Sequence, residues 1–327
     1  MKGMILAAGL GTRLYPLTAF RAKPTIPFLN RPLLHYARDL LLGAHITEIV
    51  VNSHHLPHSI SKALDGEAHA EGHQIRFSHE EEILGTAGAI GKVRDWLQGD
   101  TFVVCSGKIY FEQDLEPVIR FHHDQGNLVT LVLVPHSKQD SYASVQVDDR
   151  NNITGFRPKG EGNSFVFTGV HVLDPQVFDF IPEGRSETVN EIYPRLIQEG
   201  HRVQAFVSEA YWCECSTAGN YLSKSLEVLR RRNLDNLMAH EVGSSCDGVI
   251  AAPSVRIGPG CVLKNSILWD DVTIGEGSAL SRVIVTGEVT LGPDTQLENA
   301  IVTPQSDRLD HPSIVGHPVE DHWVFPL

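Results

Sequence analysis

The spacing of hydrophobic and polar positions changes character near residue 240. Before it, short apolar runs alternate with amphipathic stretches. Met4-Ile-Leu-Ala-Ala, Glu48-Ile-Val-Val-Asn, Gln74 to Ser78, Thr101-Phe-Val-Val-Cys and Leu128 to Val134 read as strands. Pro32 to Leu42 places Leu33, Leu34, Ala37, Leu40 and Leu41 on one helical face. Leu56 to Leu64, Val189 to Gln198 and Ala218 to Arg232 also read as helices. So does the segment opening after Gly85-Thr86, with Ala87, Ile90, Val93 and Leu97 as its stripe. This alternation predicts an α/β fold: a doubly wound, mixed and mostly parallel sheet built from right-handed βαβ units. Tyr142 to Leu173, richer in strands and turns, reads as an antiparallel insertion. Arg230-Arg231-Arg232 reads as a solvated helix end, favourable at the negative pole of the helix dipole.

After residue 240 a repeat takes over. Ile257-Gly258, Ile274-Gly275 and Leu291-Gly292 recur every 17 residues. Leu263, Leu280 and Leu297 follow each six residues on, and Ile267, Ile284 and Ile301 ten residues on. One period earlier stand Cys246 and Ile250. About four coils of a parallel β-helix with triangular cross-section account for this register; a β-sandwich with coincidental spacing is the alternative. The expected division is an α/β domain over 1–235 and a coil domain over 236–327. The tail from Gly316 to Leu327 is expected to pack on the coils or their open end.

Composition narrows the function. A formal net charge of -13 over 327 residues argues against a nucleic-acid partner, which calls for a basic face. No apolar run reaches the roughly 20 residues of a membrane span. Met1 to Leu10 faintly resembles a signal peptide, with Lys2 before Met4-Ile-Leu-Ala-Ala, but the run is short and Arg13 follows closely, so secretion is not expected. The five cysteines are an odd, sparse set rather than a disulfide framework, which fits a reducing, cytoplasmic setting.

Against that acidic background, Leu6 to Phe28 carries no carboxylate, yet contains Arg13, Arg21 and Lys23. It follows directly on a strand, where nucleotide-binding loops sit in open α/β sheets. A Rossmann fingerprint needs a glycine where Leu14 stands, and a P-loop needs Gly-Lys-Ser/Thr where Gly11-Thr12-Arg13 stands. Pro16, Pro24 and Pro27 forbid a long helix. What remains is a glycine-rich loop wrapped over a triphosphate, or a plain surface loop with scattered cations.

Gly9-x-Gly11-x-Arg13-Leu14-x-Pro16-Leu17-Thr18, followed by Lys23-Pro24, resembles the signature of the sugar-1-phosphate nucleotidyltransferases. Asn52-Ser-His-His-Leu-Pro, Gly85-Thr86-Ala87-Gly88, Phe167-Thr168-Gly169-Val170 and Tyr211-Trp212-Cys-Glu214-Cys-Ser216-Thr217 resemble later segments of that family, in order. The 17-residue coils resemble the left-handed β-helix that many members carry. The resemblance implies transfer of a nucleotidyl group from a nucleoside triphosphate to a sugar-1-phosphate, with release of pyrophosphate. It implies Arg13 on the β- and γ-phosphates and Lys23 on the α-phosphate and sugar phosphate. Leu6, Ala7, Ala8, Gly9, Gly11, Thr12, Gly85, Thr86 and Gly88 are implied as nucleotide-binding, and Thr168, Gly169 and Lys159 as sugar-binding. A homo-oligomer formed through the β-helix is a further expectation.

The pattern breaks at the metal. The resemblance implies Mg²⁺ held by an Asp in an "N-G-D" turn and a second Asp in the Trp-containing element. Here the first position is Lys108, after Ser106-Gly107, and the second is Glu214; Ser216 replaces a glycine. The amine of Lys108 is expected near Glu214. Two readings follow: an active, metal-altered transferase, or a catalytically impaired paralogue that binds nucleotide or nucleotide sugar as a regulatory or partner subunit. Cys213-x-Cys215 has the wrong spacing for zinc. His54-His55 and His122-His123 could bind metal but read as ordinary polar residues, Glu80-Glu81-Glu82 could approach the base or sugar but reads as a solvated turn, and Asp100 and Asp114 read as punctuation.

Overall fold

The structure is a computed structural model. It describes residues 1–65, 72–135, 142–157, 165–238, 243–306, 309, 315–319 and 321–327. Contacts divide the chain into two compact units. One comprises Met1–Leu10 with Leu33–Glu214, the other Gly11–Pro32 with Cys215–Leu327.

The first unit is built on a mixed sheet. Lys2–Leu6 lies between Glu48–Ser53 and Phe102–Ser106, parallel to both. Gln74–His79 adds a further parallel strand beside Glu48–Ser53. All five residues of Phe102–Ser106 are buried, as a strand covered on both faces requires. Phe165–Leu173 turns the sheet antiparallel: it pairs with Phe102–Ser106 and with Val129–Pro135. Ser144–Val147 and Ile153–Arg157 form the antiparallel insertion read from the sequence, and Val203–Val207 joins Val129–Pro135 in parallel. Met4, Val104, Leu131 and Leu173 lie in one buried cluster with Ile90 and Leu196 from the helices.

Three elements depart from the sequence reading by more than a residue at an end. The first strand ends at Leu6 rather than Ala8, because the Ala7 N–H donates to the Asn52 side chain. The stripe Ala87–Leu97 is divided into Gly85–Lys92 and a short turn, Arg94–Leu97. The helix expected from Val189 opens as a π-turn, Thr188–Ile192, before Tyr193–Gln198. Pro194 has no N–H with which to continue a regular helix from that side.

In the second unit the 17-residue period is the pairing register. Cys246, Leu263, Leu280 and Leu297 are successive parallel partners, as are Ile250, Ile267, Ile284 and Ile301. Ile257, Ile274 and Leu291 pair in a second parallel sheet. Left-handed backbone recurs at the same interval, at Gly248, Asn265, Arg282 and Asn299, at Gly260, Gly277 and Asp294, and at Asp271 and Glu288. The coils thus turn sharply at repeated corners, compatible with a β-helix. His322–Pro326 pairs antiparallel with Gln296–Pro304, covering the last edge of the ladder as the tail was expected to do. The helix Ala218–Arg231 is capped by the Thr217 hydroxyl, which accepts from the Asn220 N–H. Among the described residues no helix is long and apolar enough to cross a membrane.

Candidate functional site

In the first unit, candidate residues collect where the parallel strands end. Leu6 and Ser106 are direct partners, and the Gly107 N–H donates to the Leu6 carbonyl at 2.9 Å. Gly169 has φ +84, and a Cβ there would lie 2.8 Å from Ser106 Cβ. Leu6 to Gly9, Gly107-Lys108 and Thr168-Gly169 therefore stand side by side at the carboxyl ends of the strands, where open α/β sheets place ligands. Thr168 itself is buried: its hydroxyl donates to the Val132 carbonyl, and its carbonyl accepts from the Trp212 indole. Lys159 lies outside the described residues.

The Gly85–Gly88 turn is fastened by a segment a hundred residues away. The N–H groups of Ala87 and Gly88 donate to the Ser186 carbonyl at 3.0 and 3.1 Å. The Thr86 N–H and hydroxyl both donate to the Glu187 carboxylate, at 3.1 and 2.7 Å. A Cβ on Gly88 would stand 2.3 Å from the Gly184 carbonyl oxygen, so only glycine allows this approach. The first N–H groups of this helix are thus satisfied by a remote carboxylate and carbonyl, at the pole where negative charge is favoured.

On the other side of that turn stands a buried polar chain. The Ala7 N–H donates to Asn52 Oδ1 at 2.6 Å, and Asn52 Nδ2 donates to Glu80 Oε1 at 2.7 Å. The Leu84 N–H donates to Glu80 Oε2 at 3.0 Å. Glu80 is 1% exposed, which corrects the reading of a solvated turn at that residue; Glu81 and Glu82 are exposed as read. Neither Glu80 nor Glu187 was picked out by the sequence: three adjacent glutamates look alike, and Glu187 carries no local motif.

Lys108 lies on the turn between Phe102–Ser106 and Ile109–Phe111, and the latter strand pairs with Trp212–Glu214. Glu214 is the direct partner of Ile109, which brings the neighbouring Lys108 amine to 2.9 Å from Glu214 Oε1. The pairing expected from the sequence is present. Glu214 is 9% exposed, and Cys213 and Cys215 on either side are buried too. Mg²⁺ takes carboxylate and phosphate oxygens in strict octahedral geometry. An ammonium occupies the Glu214 carboxylate here. Among the described residues no group of three or more His, Cys, Asp or Glu could hold a metal ion. A single carboxylate already paired with an ammonium is a poor seat for Mg²⁺.

In the second unit, Gly11 to Pro32 forms three short 3₁₀ turns: Thr12–Leu14, Leu17–Ala19 and Lys23–Thr25. Arg13 is exposed and forms no ion pair among the described residues, whereas Lys23 is buried. Gly11 has φ +68, and a Cβ there would press within 3.0 Å of Thr18 and the Lys23 stem. The loop is strapped to its own unit. Arg21 pairs with Asp270 and lies over the Trp269 ring. The Tyr221 hydroxyl donates to the Pro27 carbonyl at 2.5 Å, and Asn30 Nδ2 donates to the Ala251 carbonyl at 2.7 Å.

Residues 2–231 match the family described as nucleotidyl transferase. The chain is 28% identical over 287 residues to mannose-1-phosphate guanylyltransferase of Mycobacterium tuberculosis, covering 82% of this chain and 80% of the relative. It is 29% identical to UTP–glucose-1-phosphate uridylyltransferase of Synechocystis, covering 83% and 71%. It is 31% identical over 273 residues to mannose-1-phosphate guanyltransferase of Pichia angusta, covering 80% and 74%. Among solved structures, a putative glucose-1-phosphate thymidylyltransferase from Bacillus anthracis, in complex with a sucrose, superposes with a TM-score of 0.62. It is 24% identical, over 70% of this chain and 95% of that one, a likeness of fold. With the family match spanning well over half its length, this chain belongs to the nucleotidyl transferase family, among the sugar-1-phosphate nucleotidyltransferases.

Proposed function

We propose that this chain joins a nucleoside triphosphate and a hexose-1-phosphate to give a nucleoside-diphosphate sugar and pyrophosphate. The observation that carries the reading is the family match over 2–231, with both loop cations, Arg13 and Lys23, retained. A sugar-phosphate oxygen attacks the α-phosphorus, the bond from that phosphorus to the bridging oxygen breaks, and pyrophosphate leaves with the electron pair. No protein nucleophile takes part. The protein's work is alignment and neutralisation of charge.

Arg13 holds the β- and γ-phosphates, and Lys23 the α-phosphate and sugar phosphate. Leu6 to Gly9, Gly11, Thr12, Gly85, Thr86 and Gly88 bind the nucleotide; Thr168 and Gly169 shape the sugar pocket, and Lys159 binds the sugar phosphate. We assign the catalytic part to 1–235 and a left-handed β-helix to 236–327, pairing coil to coil in a homo-oligomer. All five cysteines are free, in keeping with a reducing cytoplasm. Light scattering of the full chain tests the oligomer, and a monomer at working concentration removes it.

The Lys108–Glu214 ion pair favours a second reading, a paralogue that binds nucleotide or nucleotide sugar without turning it over. One experiment separates the two: the four nucleoside triphosphates against mannose- and glucose-1-phosphate, with and without Mg²⁺, reading pyrophosphate release and triphosphate binding. Release with one pairing supports the transferase, binding without release supports the paralogue, and absence of both overturns each.

A further inference from the structure

The buried polar chain joins the end of the first strand to the turn that opens the Gly85–Lys92 helix. Ala7 lies just beyond the first strand, at the entrance to the glycine-rich loop. Leu84 immediately precedes the Gly85 turn. Between them stand only Asn52 and Glu80, respectively 3% and 1% exposed. The atom pattern is unambiguous. The Ala7 N–H can only donate, so Asn52 presents its oxygen to it, at 2.6 Å. The Asn52 amide nitrogen then faces Glu80 at 2.7 Å, and the second Glu80 oxygen accepts from the Leu84 N–H at 3.0 Å. The Glu80 backbone is fixed as well: its N–H donates to the Ser53 carbonyl, and its carbonyl meets His54 Nδ1 at 2.9 Å.

Burying a carboxylate and an amide is costly unless every donor and acceptor is matched. An apolar pair of similar size would leave the Ala7 and Leu84 N–H groups without acceptors. What the polar pair supplies, and an apolar pair cannot, is a defined distance between two backbone amides.

We propose that Asn52 and Glu80 are positioning residues that set the spacing between Ala7–Gly9 and Leu84–Gly88, and so the enzyme's choice of nucleotide base. The proposal rests on the reading that these two backbone segments flank the nucleotide. Neither side chain needs to touch the ligand. Both act through the amides they hold, and the base is read by the backbone edges so placed.

The pair permits a reciprocal test. Asn52→Asp alone sets two carboxylates face to face, and Glu80→Gln alone sets its amide NH₂ against one of the two donors, Asn52 or Leu84. Asn52→Asp with Glu80→Gln restores every bond in reverse: Asp accepts from Ala7 and from the Gln amide, whose oxygen accepts from Leu84. Amide exchange at Ala7 and Leu84 reads the chain without substrate, and each single variant is expected to raise it about tenfold. With the full chain and the four triphosphates, each single variant is expected to raise KM for the preferred triphosphate about tenfold and to flatten base preference. The KM for sugar phosphate should stay within about twofold. The double variant should restore exchange, KM and preference together.

A double variant no better than the worse single one overturns the proposal. So do single variants with faster exchange but unchanged base preference. If a single variant fails to fold, a folded double variant with wild-type preference carries the expected result, and a double variant that also fails overturns it. A wild type that binds no triphosphate defeats the functional reading and this inference together. A wild type that binds, beside single variants that discriminate as it does, defeats this inference alone.

Discussion

The amine of Lys108 stands 2.9 Å from the carboxylate of Glu214, across paired strands at the end of the sheet of the first unit. The resemblance to the sugar-1-phosphate nucleotidyltransferases implies two carboxylates around Mg²⁺ at these positions, and here one of the two residues is a cation. The Lys108 side chain is 41% exposed and that of Glu214 11% exposed, so the ion pair is worth far less than a dry one. Removing the amine is nonetheless unfavourable, because it takes a cation away from a largely buried carboxylate. Lys108→Met should lower stability by about 1–2 kcal/mol in denaturant titration. Lys108→Asp sets two carboxylates together and should create a cation site. Millimolar Mg²⁺ is then expected to raise the melting temperature of Lys108→Asp and leave that of the wild type unmoved. Equal Mg²⁺ stabilisation of both proteins would show that Lys108 does not stand in for a metal.

Two glycines distinguish folding from ligand approach. Gly88 has the Gly184 carbonyl oxygen 2.3 Å from where a Cβ would be, so Gly88→Ala forces two backbone segments apart. The expected loss is about 1–3 kcal/mol, seen as a lower urea midpoint. A Cβ on Gly9 would meet nothing within 4 Å. Gly9→Ala should leave the urea midpoint unchanged and weaken triphosphate binding if the phosphates lie against that backbone. Undiminished binding would remove Gly9 from the nucleotide-binding set.

The period of the coils was legible because burial alone sets it. Leu263, Leu280 and Leu297 must all point inward, and the pairing register repeats the sequence spacing without a shift. The strand–helix alternation was legible for the same reason. The fastening of the site was not. Glu80 sits beside Glu81 and Glu82, and only the turn onto Leu84 selects which carboxylate is buried. Glu187 reaches Thr86 across 101 positions, and Arg21 reaches Asp270 across 249. Such pairings arise from how distant segments meet, and no local spacing encodes them. Lys108 was the exception, because its strangeness was a matter of residue type at one position of a recognised turn.

Two buried histidines set an acid limit. Burial lowers His171 to about 3; burial, with help from His123, lowers His122 to about 4. His171 is also hydrogen-bonded to the Tyr193 hydroxyl. In the unfolded chain each takes up a proton near pH 6.5. Between that pH and the folded values the unfolded state binds more protons. Stability is therefore complete above about pH 6.5 and declines as pH falls. For His171 the loss between pH 7.5 and 5 should be about 2 kcal/mol. Urea midpoints across that range should show it, and His171→Gln should flatten the profile. A wild-type midpoint independent of pH down to 5 would mean that His171 is protonated in the folded chain.

Arg21 and Arg13 belong to the same loop of the second unit, yet they should fail differently. Arg21 is engaged by Asp270 and by the face of Trp269, in the repeat region, whereas Arg13 is exposed with no ionic partner among the described residues. Asp270→Asn removes a partly exposed ion pair, so global stability should change by about 0.5–1 kcal/mol or less. The local effect should be larger: amide exchange over Gly11 to Pro32 should quicken, because one strap holding the turns is gone. Arg13→Ala touches no strap and should leave both stability and loop exchange at wild-type values. Its expected consequence is confined to the ligand, a loss of triphosphate affinity of about 10- to 100-fold from one charge-assisted contact. Measuring loop exchange and triphosphate binding on both variants tests the pair of assignments. Arg13→Ala with undiminished affinity would take Arg13 out of phosphate binding. Asp270→Asn with unchanged loop exchange would show that Tyr221 and Asn30 hold the loop without the ion pair.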